Sequence, residues 1–267
     1  MKTVKTLLTL IITLTLTLIS KAQNTEFTIL TYNIYHGEQA YQKGKPNLDD
    51  IAKLIKDIDP DFVALQEVDS MTQRTAEVYD GKAVDLVNKL ASKTGMHGFF
   101  AKAIDYSGGG YGEGLLSKNP AELSKIDLPI PQGGEGRAMA IASYKLKNEQ
   151  TITFGATHLC HQFDSNRIAQ TEAIVEHLEK KIGPSIVAGD LNFKPETTPY
   201  KILEKGYIDA AASYGNPLPT IPYENPRSRI DYVWLSKNSN WEITEVKVIP
   251  VGFSDHMPVL VKVVLKD

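Results

Sequence analysis

The chain reads as an α/β protein built from two mostly antiparallel sheets packed together, with helices outside. Three observations predict this. Short β-branched apolar runs recur from end to end. Segments with apolar residues at helical spacing fall between them. Many of the strand-like runs come as hairpin pairs across brief turns, which argues against a parallel βαβ barrel.

The elements follow in order. Phe27-Thr28-Ile29-Leu30-Thr31-Tyr32-Asn33 alternates and reads as a strand. Leu48, Ile51, Leu54, Ile55 and Ile58 fall on one helical face, and Pro60 stops that helix. Phe62-Val63-Ala64-Leu65-Gln66 is a buried strand, and Val84, Val87, Leu90 and Ala91 mark a second helix ended by Gly95. The run Ser107-Gly108-Gly109-Gly110-Tyr111-Gly112 predicts a mobile loop that feeds a strand at Gly114-Leu115-Leu116-Ser117. Arg137 to Leu146 and Thr151 to Thr157 form a strand pair about the turn at Lys147-Asn148-Glu149. Ile168, Ile174, Val175, Leu178 and Ile182 give a third helix, and Ser185-Ile186-Val187-Ala188-Gly189 a buried strand. A proline- and glycine-rich loop is expected from Pro195 to Pro226. Strands at Ile230–Leu235, Trp241–Ile249 and Pro258–Leu265 complete the chain.

Residues 1–23 stand apart. Lys2 and Lys5 precede an apolar run from Leu7 to Ile19, then Ser20-Lys21-Ala22-Gln23. That order is the pattern of a secretory signal, and the run is short of the roughly 20 residues a membrane span needs. The expectation is an exported protein, periplasmic or extracellular after signal removal, with one domain over 24–267. Without residues 1–23 the chain carries 26 basic against 32 acidic side chains, a net charge of −6. It therefore lacks the broad positive field that drives non-specific nucleic-acid binding. Cys160 is the single cysteine of the 267 residues, so no internal disulfide forms, and it reads as a half-buried thiol at a strand end.

The polar residues of interest gather where strands end. Asn33 closes the first strand and Glu67 follows the second. His158 closes the Thr151 strand. Asp190 and Asn192 follow the Ser185 strand. Asp231 opens a strand, and Asp255-His256 precedes the last one. Singly, each has a plain reading as a turn former or solvated strand end. Together, side chains at strand ends of a packed scaffold converge on one cleft.

The ordered set Leu30-Thr31-Tyr32-Asn33, Leu65-Gln66-Glu67-Val68, Tyr111-Gly112, Thr157-His158-Leu159, Gly189-Asp190-Leu191-Asn192, Arg229-Ile230-Asp231-Tyr232 and Ser254-Asp255-His256-Met257-Pro258 resembles the endonuclease/exonuclease/phosphatase superfamily over essentially the whole chain after residue 23. The resemblance implies a four-layered α/β/β/α sandwich and a Mg²⁺-dependent phosphoesterase, with Mn²⁺ as the alternative ion. It implies Glu67 as metal ligand, with Asn33 and Asp255 near the metal directly or through water. It implies His256 as general base oriented by Asp231, Asp190 as positioner of the water, and Asn192 as donor to a phosphoryl oxygen. His158 is then placed to protonate the leaving group, with Glu113 as its orienter. Arg137 would grip a phosphate and Tyr111 line the cleft. Nucleic acid, a phospholipid headgroup and inositol phosphate are the substrate classes in view. A phosphodiesterase is expected first, an inositol phosphate phosphatase or a non-catalytic binding module on the same scaffold next. The domain is expected to be a monomer that does not insert stably in a membrane. His36 and His161 lie near the site in sequence and receive no role.

Overall fold

The computed structural model describes residues 24–266. Residues 1–23, expected to be a signal segment, lie outside the described residues. The chain opens with β1 (Thr25–Asn33) and α1 (Leu48–Ile58). Helix α1 buries Leu48, Ile51, Ala52 and Ile55 on one face and ends at Asp59, whose φ of 53° breaks the helix just ahead of Pro60. After β2 (Phe62–Ser70) come α2 (Gln73–Val78), capped by Thr72, and α3 (Leu86–Thr94), capped by Asp85 and stopped by Gly95. Then follow β3 (His97–Tyr106), β4 (Gly109–Ser117), β5 (Glu122–Leu128), β6 (Arg137–Lys145), β7 (Thr151–His158) and α4 (Asp164–Glu179). The chain ends with β8 (Ser185–Asp190), α5 (Thr198–Gly206), β9 (Tyr207–Asp209), α6 (Ala210–Tyr214), β10 (Asp231–Ser236), β11 (Asn240–Val248) and β12 (Val259–Lys266).

Two six-stranded sheets result, ordered β11-β12-β1-β2-β4-β3 and β5-β6-β7-β8-β10-β9. Only β1 with β2 and β7 with β8 run parallel; the other neighbours are antiparallel. The inner faces meet in a core that includes Ile29, Phe62, Ala64, Phe154, Ile186 and Val261. Phe62 stacks on Phe154 across the two sheets at 4.8 Å between ring centroids. Leu30, Val63 and Leu65 face the other way, onto α1 and α3, and Val187, Tyr232 and Trp234 form the matching outer layer with Ile174, Leu178 and Leu203 of α4 and α5. Every strand with both faces covered is therefore apolar on both, and each fully buried Leu or Ile contributes about 1.5–3 kcal/mol. The sandwich is four-layered, as the motif set implied.

Three segments differ from the sequence reading. The glycine-rich run is no loop: it is β4, joined to β3 by a turn at Ser107 (φ 46°) and Gly108 (φ 79°). Its glycines permit close strand approach, because a Cβ on Gly112 would lie 2.2 Å from the Ala101 carbonyl oxygen. The segment from Pro195 to Pro226 holds α5, β9 and α6; Pro199 sits in the first turn of α5, where its missing N–H costs nothing. Helix α4 ends at Glu179, so Ile182 lies beyond it and is 93% exposed.

The parallel pairing of β7 with β8 depends on Gly189, where a Cβ would stand 1.9 Å from the Thr157 carbonyl oxygen. Gly189→Ala must push the two strands apart. It should cost about 3 kcal/mol and lower the thermal midpoint by roughly 10 °C, measured by calorimetry; an unchanged midpoint would refute the packing argument.

Candidate active site

Sheet topology alone brings the functional strand ends to one edge of the sandwich. Strands β1 and β2 run parallel with Asn33 beside Gln66, and β12, antiparallel to β1, starts at that same end just after Asp255-His256. In the second sheet, parallel β7 and β8 pair His158 with Asp190, and antiparallel β10 pairs Asp231 with Asp190. Three adjacent strands thus present His158, Asp190 and Asp231 side by side.

Glu67 reaches the cleft through a bulge. Leu65 pairs with Gly114 and Val68 with Gly112, so Gln66 and Glu67 together oppose one residue of β4. Glu67 sits at φ 55° and Asn192 at φ 50°. Just beyond Asn33, Tyr35 (φ 47°) and His36 (φ 45°) are also left-handed. Each such non-glycine residue costs roughly 1–2 kcal/mol, and two of the four, Glu67 and Asn192, line one cavity.

Asn33, fully buried, is the centre of the site. Its Oδ1 accepts the Tyr35 backbone N–H at 3.2 Å, which turns its NH₂ group inward. Nδ2 donates to Glu67 Oε1 at 3.2 Å and to Asp190 Oδ2 at 3.2 Å, and lies 3.4 Å from His256 Nε2. An NH₂ group has no lone pair for a cation, so Asn33 holds the acids in place and is not itself a direct ligand.

His256 is held from both sides. Its Nδ1 lies 2.9 Å from Asp231 Oδ2, and its Nε2 lies 3.6 Å from Asp190 Oδ2. Thr220 donates its hydroxyl to Asp231 from behind. Burial lowers His256, but Asp231 first and then Asp190 more than reverse this and raise it to about 10. Burial raises Asp190 in turn. Burial of the half-covered Glu67 works to raise it, yet the neighbouring His36 ring and the Asn33 amide outweigh that and pull it down to about 2, so it stands as an anion.

His158 departs from expectation. Arg137 Nη1 points at its Nδ1 at 3.2 Å, and Arg137 also reaches Glu135 at 2.8 Å and His161 Nδ1 at 3.2 Å. A guanidinium only donates, so Nδ1 is the acceptor and the neutral ring carries its proton on Nε2, which lies 3.4 Å from Asp190 Oδ2 and 2.9 Å from Asn192 Nδ2. Burial and the adjacent Arg137 charge hold His158 well below the ordinary histidine value. It is a hydrogen-bond donor rather than an acid with a proton to give. Glu113, expected as its orienter, does not touch it: Glu113 is 1% exposed, its carboxyl oxygens make no hydrogen bond, and burial raises it to about 8 against the opposing charge of Arg137. It does not line the cleft either.

These groups enclose a cavity of about 320 Å³, within the range of small-ligand sites. Glu67, Tyr111, Arg137, His158, Asp190, Asn192, Asp255 and His256 line it, so most of the predicted site residues come together. Asp231 and Asn33 stand behind this lining. Glu135, His161, Ile221 and Ile230 complete the wall and went unassigned in the sequence. Glu135 lies two residues before Arg137, a same-face spacing that was readable, and Ile230 comes in beside Asp231 of its motif; Thr220 and Ile221 carried no signal, because a non-local loop brings them in. Cys160 is fully buried and accepts from Phe163 N and Asn166 Nδ2, as a packed thiol does.

Two groupings bear on a cation. Among the described residues, Asp190, Asp231 and His256 bring three ligand atoms within 4.8 Å of one another. Glu67 and Asp255 form the other: two carboxylates on one cavity wall, Asp255 raised by burial and by the charge of Glu67. The first group already satisfies itself by hydrogen bonds, and its histidine holds its proton. The second leaves like charges facing one space, which suits a hard cation that prefers oxygen ligands.

A two-sheet sandwich with histidines and carboxylates at one edge defines a phosphoesterase-type scaffold. A family profile described as Endonuclease/Exonuclease/phosphatase family matches residues 30–256, and the chain belongs to that family. Similar solved structures include an endonuclease/exonuclease/phosphatase from Beutenbergia cavernae (22% identity, TM-score 0.72, covering 90% of this chain and 72% of that one). The mannosyl-6-phosphatase of Bacteroides thetaiotaomicron is 17% identical (TM-score 0.66; 89% and 99%). The human Nocturnin catalytic domain with bound sulfate is 20% identical (TM-score 0.69; 92% and 97%). A comparison with curated proteins finds no match.

Because Asp231 raises His256, their contact stabilises the fold fully below the ordinary histidine value of about 6.5 and fades as pH rises through about 10. Asp231→Asn should lower the His256 titration midpoint seen by NMR. It should also cost about 3 kcal/mol near neutral pH, a loss that narrows toward alkaline pH in pH-dependent melting.

Proposed function

We propose that this chain hydrolyses a small phosphate ester with a divalent cation, Mg²⁺ or Mn²⁺, held at Glu67 and Asp255. The observation that carries the reading is one cavity that faces an ionised Glu67 toward the Asp190–His256–Asp231 chain. When bound, the cation would polarise a phosphoryl oxygen and offset charge developing on the phosphate.

The protein's own groups divide the remaining work. His256, once it has lost its own proton, takes up the proton of an attacking water, with the Asp190 carboxylate 3.6 Å from its Nε2 to position that water. His256 is the terminal acceptor, since Asp231 stabilises the imidazolium. His158 offers Nε2–H, and Asn192 its amide, to phosphoryl oxygens. Arg137 adds charge at the far wall, although much of its donor fork is spent on Glu135, His158 and His161. Tyr111, 9% exposed, lines the same cavity.

The cavity size supports a small ester over a polymer, and the net charge of −6 over residues 24–267 disfavours duplex DNA. One structural neighbour is named for a sugar phosphate, which falls in the same size class. No helix among the described residues is long and apolar enough to cross a membrane. We further propose that the chain acts after export, on the strength of the basic and apolar pattern of residues 1–23.

The test is turnover of bis-(para-nitrophenyl) phosphate, para-nitrophenyl phosphate, a hexose phosphate and plasmid DNA, with Mg²⁺, with Mn²⁺ and with EDTA. Small esters should be cleaved only with metal. His256→Ala should lower kcat by about 10²–10⁴ with circular dichroism unchanged, and Glu67→Gln should move the metal requirement to higher concentration. No metal-dependent turnover on any of the four would defeat the reading.

A further inference from the structure

His36 lies beside the site and takes no part in the chemistry above. The turn Tyr35–Gly37 is left-handed at all three residues, with φ of 47°, 45° and 84°. That backbone turns the His36 imidazole between two carboxylates. Nε2 lies 3.3 Å from Glu38 Oε2, and Nδ1 lies 3.9 Å from Glu67 Oε2. Side-chain exposures of 11% for His36 and 13% for Glu38 leave little room for water around either.

The two distances differ in kind. The contact with Glu38 is short enough to be a hydrogen bond, with Nε2–H donating to Glu38 Oε2. The 3.9 Å gap to Glu67 is too long for one. It matches two ligand atoms of a single cation, which lie roughly 3–4 Å apart when each is about 2.1 Å from the ion. A carboxylate that fixes one ring nitrogen while the other faces an ion is the usual support of a metal-bound histidine. Glu38 is itself anchored: its Oε1 accepts the Gly44 backbone N–H, and its carbonyl accepts Asn47 Nδ2 at 2.8 Å. Asn47 Nδ2 also bridges Ile34 O and Phe253 O at 2.9 Å each, tying this loop to the segment that carries Asp255 and His256.

We infer that His36 is a ligand of the divalent cation, bridging it with Glu67, and that Glu38 is the carboxylate that orients it. The inference rests on the proposal that Glu67 holds a cation. Imidazole nitrogen suits transition metals better than Mg²⁺, so the site takes Mn²⁺ in preference to Mg²⁺.

The experiment loads the whole protein with Mn²⁺ alone, without substrate, and reads calorimetric affinity and pulsed electron paramagnetic resonance. Wild type should show the modulation of a directly coordinated nitrogen. His36→Asn keeps a residue that accepts left-handed backbone; it should lose that modulation and bind Mn²⁺ about tenfold or more weakly, while Mg²⁺ affinity changes far less. Glu38→Gln, which leaves His36 in place, should weaken Mn²⁺ by about 10–100-fold. Glu67→Gln is the control for the underlying reading. Binding that needs Glu67 but shows the same nitrogen signal and affinity in both His36→Asn and Glu38→Gln would overturn the role of His36 and leave the proposed function standing. Binding that ignores Glu67 would overturn both.

Discussion

The site depends on one buried amide that joins the two sheets. Asn33 belongs to β1, and its NH₂ group reaches Glu67 in the same sheet and Asp190 in the other. A buried NH₂ left without acceptors is costly, and so is a buried carboxylate left without donors. The sheets can settle face to face only where both needs are met. The apolar core between Phe62 and Phe154 brings the layers together, and Asn33 with Asp190 makes one edge of the sandwich specific.

Charge balance follows from that geometry. Asp190, Asp231 and Glu67 are acids in or behind one cavity, and water cannot screen them well there. His256 answers the first two from between them, and Thr220 supports Asp231 from the loop. Glu67 has only the Asn33 amide and the more distant His36 ring, with Asp255 adding like charge on the same wall. The second sheet handles the opposite sign: Arg137 is 3% exposed and is balanced by Glu135, with two histidine Nδ1 atoms as acceptors. Burial together with that guanidinium holds His158 well below the ordinary histidine value, whereas Glu113 is raised by burial in spite of the same charge.

Much of this was legible in the chain. Asn33, Glu67, His158, Asp190, Asn192, Asp231, Asp255 and His256 each stand where an apolar run stops or starts, because a packed scaffold leaves its strand ends for polar work. The motif order supplied the four layers, and the family match agrees. Two of the misreadings share one cause. Glycine in β4 and proline in α5 are breakers by local propensity, yet Gly112 answers the Ala101 carbonyl of the next strand, and Pro199 uses a helix position that needs no N–H. Propensity weighs a residue against its own backbone, whereas these two were selected by a neighbour.

By itself, then, the sequence determined the alternation that makes the sheets, the helices that cover them, and the polar residue types left at strand ends. Tertiary structure decided the pairings among those residues. Whether His158 meets Glu113 or Arg137 is a matter of which side chains of β4 and β6 face the cleft. Whether Glu67 points inward is set by a bulge against β4. Whether His36 faces Glu67 is set by a left-handed turn held by Asn47. Each is a contact of an ångström or two in reach, between strands or loops far apart in the chain. Hydrogen-bond and Coulomb energies vary steeply over such distances, and only the packed fold sets them.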